Sequence, residues 1–231
     1  MSVPVGKLKM VQLAGTDEWL WPEGVFVASL IAIGGGAGGS SPGTYNIPIA
    51  GGVSGAMIYG RPIYRPANGR SAYSVGAGGA GAGVNATGSV VGGAAGGTST
   101  FTDALQTHCA PGGGVSGSIP PGNVSPVVDY YGPMSGGSYN TLPFSFGAAS
   151  QAYGSYQASY GPGGLGAATL FGVAGYSGTG NSSGQGFPPG ATPSTSYGAG
   201  GSGSGSGVAG SAAAAAGAAG TIIIIYADPN A

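Results

Sequence analysis

Apolar positions gather toward the two ends of the chain. In "GTDEWLWPEGVFVASLIAI" (15–33) Trp19 and Trp21 stand two residues apart, so a strand would turn both rings to one side. Pro22, Glu23 and Gly24 supply turn chemistry, and Val25 to Ile33 resumes as a largely apolar strand, so the pattern predicts a hairpin. Near the other end, "TIIIIY" (221–226) is β-branched and apolar on both faces. Its simplest partner is Val25 to Ile33. That pairing would bring both termini into one small β base, with residues 1–14 as an extended arm carrying Lys7 and Lys9.

Between the ends two textures alternate. One is almost pure small residue: 34–39, 76–83, 92–97, 112–117, 161–168, 198–207 and 209–220. The other is longer and rich in aromatic and turn residues: 40–75, 118–160 and 169–197. Helix is disfavoured in the glycine runs, at about 1 kcal/mol per glycine against alanine. Glycine does not recur at every third position, which excludes collagen. A threefold extended helix rising about 3.1 Å per residue remains open, and eight residues of it would make a rod of roughly 25 Å. Rods without side chains approach closely enough for backbone hydrogen bonds and Cα–H contacts, which would offset the large entropy cost of ordering glycine.

Gly34, Gly36 and Gly39 satisfy G-x-G-x-x-G after an apolar strand. A dinucleotide site also needs a helix opening within the glycines and an acid about 20 residues on. Here Ser40, Ser41, Pro42 and Gly43 follow, and the next acid is Asp103, so the cofactor reading fails. No cofactor is expected.

Composition narrows the classes further. Five Lys/Arg and six Asp/Glu leave no cation cluster able to hold a polyanion, which argues against nucleic acid and anionic lipid. The 54 glycines and 17 prolines favour disorder, but 13 Tyr, 6 Phe, 2 Trp and the scarcity of charge favour order. The single Cys109 excludes an internal disulfide framework. No signal-peptide pattern is present, and the uncharged stretch 208–226 is mostly Ala and Gly. A buried strand after small residues is therefore expected there, not a membrane span, in a soluble chain made in the cytoplasm. Sequons at Asn85, Asn123 and Asn181 carry no meaning without a secretory route.

Catalysis finds little support, and no enzyme is expected. His108 and Cys109 are adjacent with no orienting third group, which favours a packed Cys beside a polar His. Nothing flanking Asp103 or Asp129 points to acid–base work, and ligands for a metal are lacking. Residues 118–197 instead hold 13 Ser, 17 Gly, 8 Tyr and 3 Asn, the alphabet of antibody loops, where Tyr gives large contact area at low entropy cost. Tyr130, Tyr131, Tyr139, Phe144, Phe146, Tyr153, Tyr156, Tyr160, Tyr176 and Phe187 are the candidate contact residues. The competing reading packs these rings on the glycine rods. "RPIYRPANGR" (61–70) holds all three arginines and reads as a hairpin tip turned by Asn68-Gly69. Arg61 and Arg65 there either face solvent or meet an anionic sugar or receptor acid.

The order of motifs resembles the glycine-rich adhesins at the tips of bacteriophage tail fibres. "GTDEWLWPEGV" (15–25) is similar to their G-T-x-x-W-x-x-P-x-G-V opening, "YSVGAGGAGAG" (73–83) to their strand into a second glycine rod, "GGTSTF" (96–101) to their G-G-x-S-x-F segment, and "AGAAGTIIIIY" (216–226) to their closing rod and strand. The resemblance implies a mostly irregular and β fold, with packed polyglycine II-type helices (a glycine-rich sandwich) on a small β base. The base would comprise residues 1–33, completed by 221–231, and would dock on a tail-fibre or other virion protein through Trp19, Trp21, Lys7 and Lys9. Residues 34–220 would be the sandwich, whose loops bind a host cell-surface receptor, protein or glycan, without catalysis or membrane insertion. The long middle loops and the Ala and Ser within several runs depart from the pattern and leave the rod number open. A structural virion cap, whose loops pack on other subunits, is the alternative, followed by a glycine-rich coat or cell-wall material.

Overall fold

The computed structural model describes residues 7–41, 51–83, 91–114, 197–204, 206–207, 210–211 and 213–229. These form ten strands and no helix: β1 Leu8–Leu13, β2 Thr16–Leu20, β3 Val27–Ile33, β4 Met57–Tyr64, β5 Arg70–Ser74, β6 Ser99–Thr102, β7 Thr107–Ala110, β8 Ser206–Gly207, β9 Gly210–Ser211 and β10 Thr221–Ala227. β8 and β9 pair only with each other. The other eight make two antiparallel four-stranded sheets, ordered β1-β10-β3-β4 and β2-β5-β6-β7.

The isoleucine run pairs with β3 as its pattern predicts, Thr221 opposite Ile33 and Ile225 opposite Ser29. Its other edge takes β1, Leu8 opposite Ala227 and Leu13 opposite Ile222, so the last strand lies between the two N-terminal ones. Being central, β10 is covered along both edges, which suits an unbroken β-branched segment. The base also draws β4 to β7 from residues 57–110.

Two predicted hairpins are corrected. β2 and β3 belong to different sheets, as do β4 and β5. The turns at Pro22–Gly24 and Pro66–Gly69 therefore carry the chain from one sheet to the other. Each turn closes as its residues suggest: Val25 N donates to Pro22 O and Gly69 N to Pro66 O, with Gly24 and Gly69 at positive φ. What the local pattern lacks is the partner of each strand. An inward-facing row that continues through a turn serves two facing sheets as well as one hairpin.

The sheets pack face to face. Leu13, Ala28, Leu30, Ala32, Ile58, Ile63, Ile222, Ile224 and Tyr226 of the first meet Trp19, Phe101 and Ala110 of the second, with Trp21 and Val25 of the linking segment. The Trp19 ring centroid lies 4.5 Å from that of Trp21, 6.2 Å from Phe101 and 6.1 Å from Tyr226. Trp21 keeps its indole N–H satisfied in the core by donating to Ser71 Oγ at 2.9 Å.

The register fixes a long axis. β3, β4 and β10 meet the small-residue segments at Ile33, Met57 and Thr221. Lys7 and Asp228, whose backbones hydrogen-bond to each other, lie at the opposite end of the same sheet.

Candidate functional site

Beyond the sheets, seven extended segments run side by side: 34–41, 51–56, 76–82, 91–97, 111–114, 198–204 and 213–220. Segment 34–41 is buried throughout. Its N–H groups go in rotation to three neighbours. Gly34 and Ala37 donate to Ala56 and Val53, Gly35 and Gly38 to Gly97 and Ala94, Gly36 and Gly39 to Ala218 and Ala215. Partner numbers fall as donor numbers rise, so these three neighbours are antiparallel to it.

The remaining three donate to it. Gly79 and Ala82 reach Gly36 O and Gly39 O, Gly201 and Ser204 reach Ala37 O and Ser40 O, and Gly113 reaches Gly35 O. The first two of these run parallel to the central segment, since their numbers rise together. Neighbours also bond to one another: 51–56 to 198–204, 198–204 to 213–220, 213–220 to 76–82, 76–82 to 91–97, 91–97 to 111–114, and 111–114 back to 51–56. Six segments thus ring one.

Glycine is required because these backbones touch. A Cβ on Gly34, Gly35, Gly36, Gly38 or Gly39 would stand about 2 Å from the carbonyl oxygen of Pro111, Ala77, Ala199, Ala80 or Ser202, respectively. The three antiparallel neighbours turn glycines three apart toward the centre. Cβ atoms at Gly52 and Gly55 would strike Ala37 O and Gly34 O, those at Gly93 and Gly96 would strike residues 38 and 35, and those at Gly217 and Gly220 would strike Gly36 O and Ile33 O. Ala37 and Ser40 share one azimuth of the central segment, three residues apart. Ser99 joins bundle to base, accepting from Gly76 N at 2.9 Å and donating to Ile33 O at 2.6 Å.

Residues 41, 51, 83, 91, 204 and 213 lie at the sheet-remote end of this bundle, opposite Lys7 and Asp228, whereas Gly113 reaches only the level of Gly35 and Gly198 lies near the sheets beside Ala219. The connections 42–50, 84–90 and 205–212 therefore leave from that end.

The candidate contact residues Tyr130, Tyr131, Tyr139, Phe144, Phe146, Tyr153, Tyr156, Tyr160, Tyr176 and Phe187 lie outside the described residues. The arginines are dispersed along 61–70. Arg61 is half-buried on β4 opposite Leu30. Arg65 follows β4, its Nη1 donating to Pro22 O at 3.4 Å and its guanidinium 5.8 Å above the Phe26 ring. Arg70 pairs with Glu18 at 2.9 Å on the second sheet. Of the docking candidates, Trp19 and Trp21 are core residues and Lys7 is exposed. Lys9 binds Asp228, whose hydrogen bond and charge raise the Lys9 pKa.

Strand alternation separates His108 from Cys109. The histidine is buried, whereas the cysteine is exposed, which corrects the packed-thiol reading. His108 Nε2 lies 3.3 Å from Asp103 Oδ2, a pairing absent from the sequence reading. Its sequence signal is an Asp five residues before a His across a tight β6–β7 turn. Asp103 also accepts from Leu105 N and Gln106 N at 2.8 Å and from Tyr64 N at 3.1 Å. Burial pushes its carboxyl up, but these hydrogen bonds outweigh burial and hold it below the usual carboxylate range. With every oxygen committed to the turn and to the end of β4, Asp103 acts as a structural clamp. Among the described residues no three acidic, His or Cys side chains converge as a metal site.

No curated protein matches the sequence. The profile of the glycine-rich domain matches residues 12–227, from β1 through β10 and every glycine segment between them. The chain belongs to the glycine-rich domain family.

Proposed function

We propose that this chain is a non-enzymatic receptor-binding adhesin at the tip of a bacteriophage tail fibre, and that its seven segments are packed polyglycine II-type helices. The threefold rotation of hydrogen-bond partners along 34–41 supports the helical reading, because three residues per turn aims successive N–H groups at three neighbours. In this reading a carrying fibre or other virion protein holds the base, and Tyr-, Ser- and Gly-rich loops meet a surface protein or glycan of the host.

The observation that carries the reading is the axial order of the molecule. Both described chain ends lie at one extreme, and the connections 42–50, 84–90 and 205–212 leave from the other, while Gly198 begins its segment beside the sheets. A bundle of mostly small residues between them is a stiff spacer, since every segment is tied to its neighbours by backbone hydrogen bonds. Sequence beyond the bundle can then change without touching a core.

The test uses fluorescently labelled full chain and a panel of intact bacteria that includes the host. A second protein has residues 150–160 replaced by Gly-Ser. Strain-selective binding that is lost on replacement is expected. A folded chain that binds no strain would overturn the adhesin reading and leave a structural virion cap.

A further inference from the structure

The outer faces of the two sheets differ in kind. On the second sheet the outward set includes the exposed Leu20, but six of its residues pair as polar neighbours: Glu18 meets Arg70, Thr16 Oγ1 lies 2.9 Å from Ser74 Oγ, and Thr102 Oγ1 lies 3.0 Å from Thr107 Oγ1. Such cross-strand pairs suit a face in water. On the first sheet, alternation from the buried Leu13, Leu30, Ile58, Ile63, Ile222 and Ile224 points the opposite set outward. Outward from β1 to β4 stand Leu8, Met10 and Gln12; Ile223, Ile225 and Ala227; Val27, Ser29 and Ile31; and Tyr59, Pro62 and Tyr64. None of the twelve is charged. Lys7, Lys9 and Arg61 adjoin residues of this face in sequence but have the opposite parity, and Lys9 is held by Asp228.

We propose that this face is where two copies of the chain pair, sheet against sheet. Leu8 is 76 %, Met10 70 %, Val27 52 %, Tyr59 52 % and Tyr64 39 % exposed. Their exposed parts together come to roughly 600 Å², already at the top of the range for the largest apolar patch on a monomer. With the partly exposed Ile223, Ile225, Ala227 and Pro62 added, the face approaches the ~800 Å² per partner that a standard stable interface buries. A twofold axis sets the residues that lie on it near their own copies, so a charge close to the axis would meet itself. An uncharged face meets no such self-repulsion, and it offers nothing electrostatic by which a different partner would be selected. Stacked about 10 Å apart, the two sheets would exclude water from both apolar sets. The glycine bundle and its remote end stay uncovered, so pairing is independent of what that end binds.

Sedimentation velocity on the full chain between about 1 and 100 μM tests this, at concentrations that bracket ordinary homodimer affinities. The wild type is expected to sediment as a dimer. Leu8→Lys with Met10→Lys, both at exposed positions, should weaken pairing at least about 100-fold by placing charge inside an apolar interface. Leu105→Lys, equally exposed but on the β6–β7 turn, should leave the dimer intact. Circular dichroism of the dilute proteins checks that all three are folded. A wild type monomeric at 100 μM, or a dimer indifferent to the two lysines, would overturn the proposal. A monomer that loses attachment to a separate virion protein when Leu8 and Met10 are changed would assign the face to that protein instead.

Discussion

Replacing Gly38 by Ala tests the bundle at its centre. An added Cβ would lie 1.9 Å from Ala80 O, 2.4 Å from Ala80 C and 2.7 Å from Gly81 N, all backbone atoms. Relief requires segments 34–41 and 76–82 to part by about 1 Å, the scale at which overpacked cores must shift. Two hydrogen bonds flank the contact, Gly79 N to Gly36 O at 2.8 Å and Ala82 N to Gly39 O at 3.0 Å. Lengthened by about 1 Å they pass beyond bonding distance, and each buried group left unpaired costs about 1–3 kcal/mol. With two donors and two acceptors unpaired, the expected loss is on the order of 4–12 kcal/mol, comparable to a typical net stability of about 5–15 kcal/mol. Gly83→Ala is the control, because nothing lies within 4 Å of its added Cβ. It should be neutral or stabilise by up to about 1 kcal/mol through the unfolded chain. In thermal melts Gly38→Ala should lower Tm by at least about 10 °C or prevent folding, while Gly83→Ala stays near wild type. A Gly38→Ala protein that melts with the wild type would refute the close-packed backbone.

Three more substitutions probe the base and its joint with the bundle. Ser99→Ala strips Ile33 O and Gly76 N of their shared partner and should cost about 2–4 kcal/mol in urea unfolding, whereas a loss under about 0.5 kcal/mol would mean the two segments are joined elsewhere. Trp19→Ala removes the ring that meets both sheets and should cost about 3–5 kcal/mol, read by the same assay. Asp103, whose folded pKa is depressed, stabilises the fold above its unfolded pKa of about 3.9, and that contribution is lost as pH falls through the folded value. The gap in unfolding free energy between wild type and Asp103→Asn should therefore be wide at pH 7 and close as pH falls through the depressed folded pKa. A gap independent of pH would show that the carboxylate charge is not what the clamp uses.

The strands at the chain ends are legible in the sequence because their evidence is local. Nine apolar or small residues at 25–33 and four isoleucines at 222–225 declare strands that nothing else in the chain could pair as well. β4 to β7 are harder to read. "MIYGRPIY" is interrupted by Gly60, which sits at positive φ where Ile31 opposes two residues, and a bulge breaks the alternation that marks a strand. "STFT" and "THCA" are four residues each, too short for periodicity to register. The Asp103–His108 contact follows from that same tight turn, so it stayed hidden with the strands. The ten aromatic candidates between Tyr130 and Phe187 rest on composition alone.

The glycine runs look featureless because their information is carried by what is absent. In "AAAAAGAAG" (212–220) the only glycines are Gly217 and Gly220, three apart, and both turn toward the central segment. The same interval separates Gly52 from Gly55 and Gly93 from Gly96. Slipping such a segment by one residue turns its glycine edge away from the central segment and drives alanine methyls into the central carbonyls. Every slip therefore costs several contacts of the kind that Gly38→Ala creates once. Register here is specified by exclusion at each third position, much as an alternating strand is specified by burial at each second. This explains how Ala and Ser can fill the other two edges freely. It also explains why the bundle needs the sheets. Exclusion selects among registers but supplies little apolar burial, whereas Ile33, Met57 and Thr221 carry the chain straight from the packed core into the segments that it aligns.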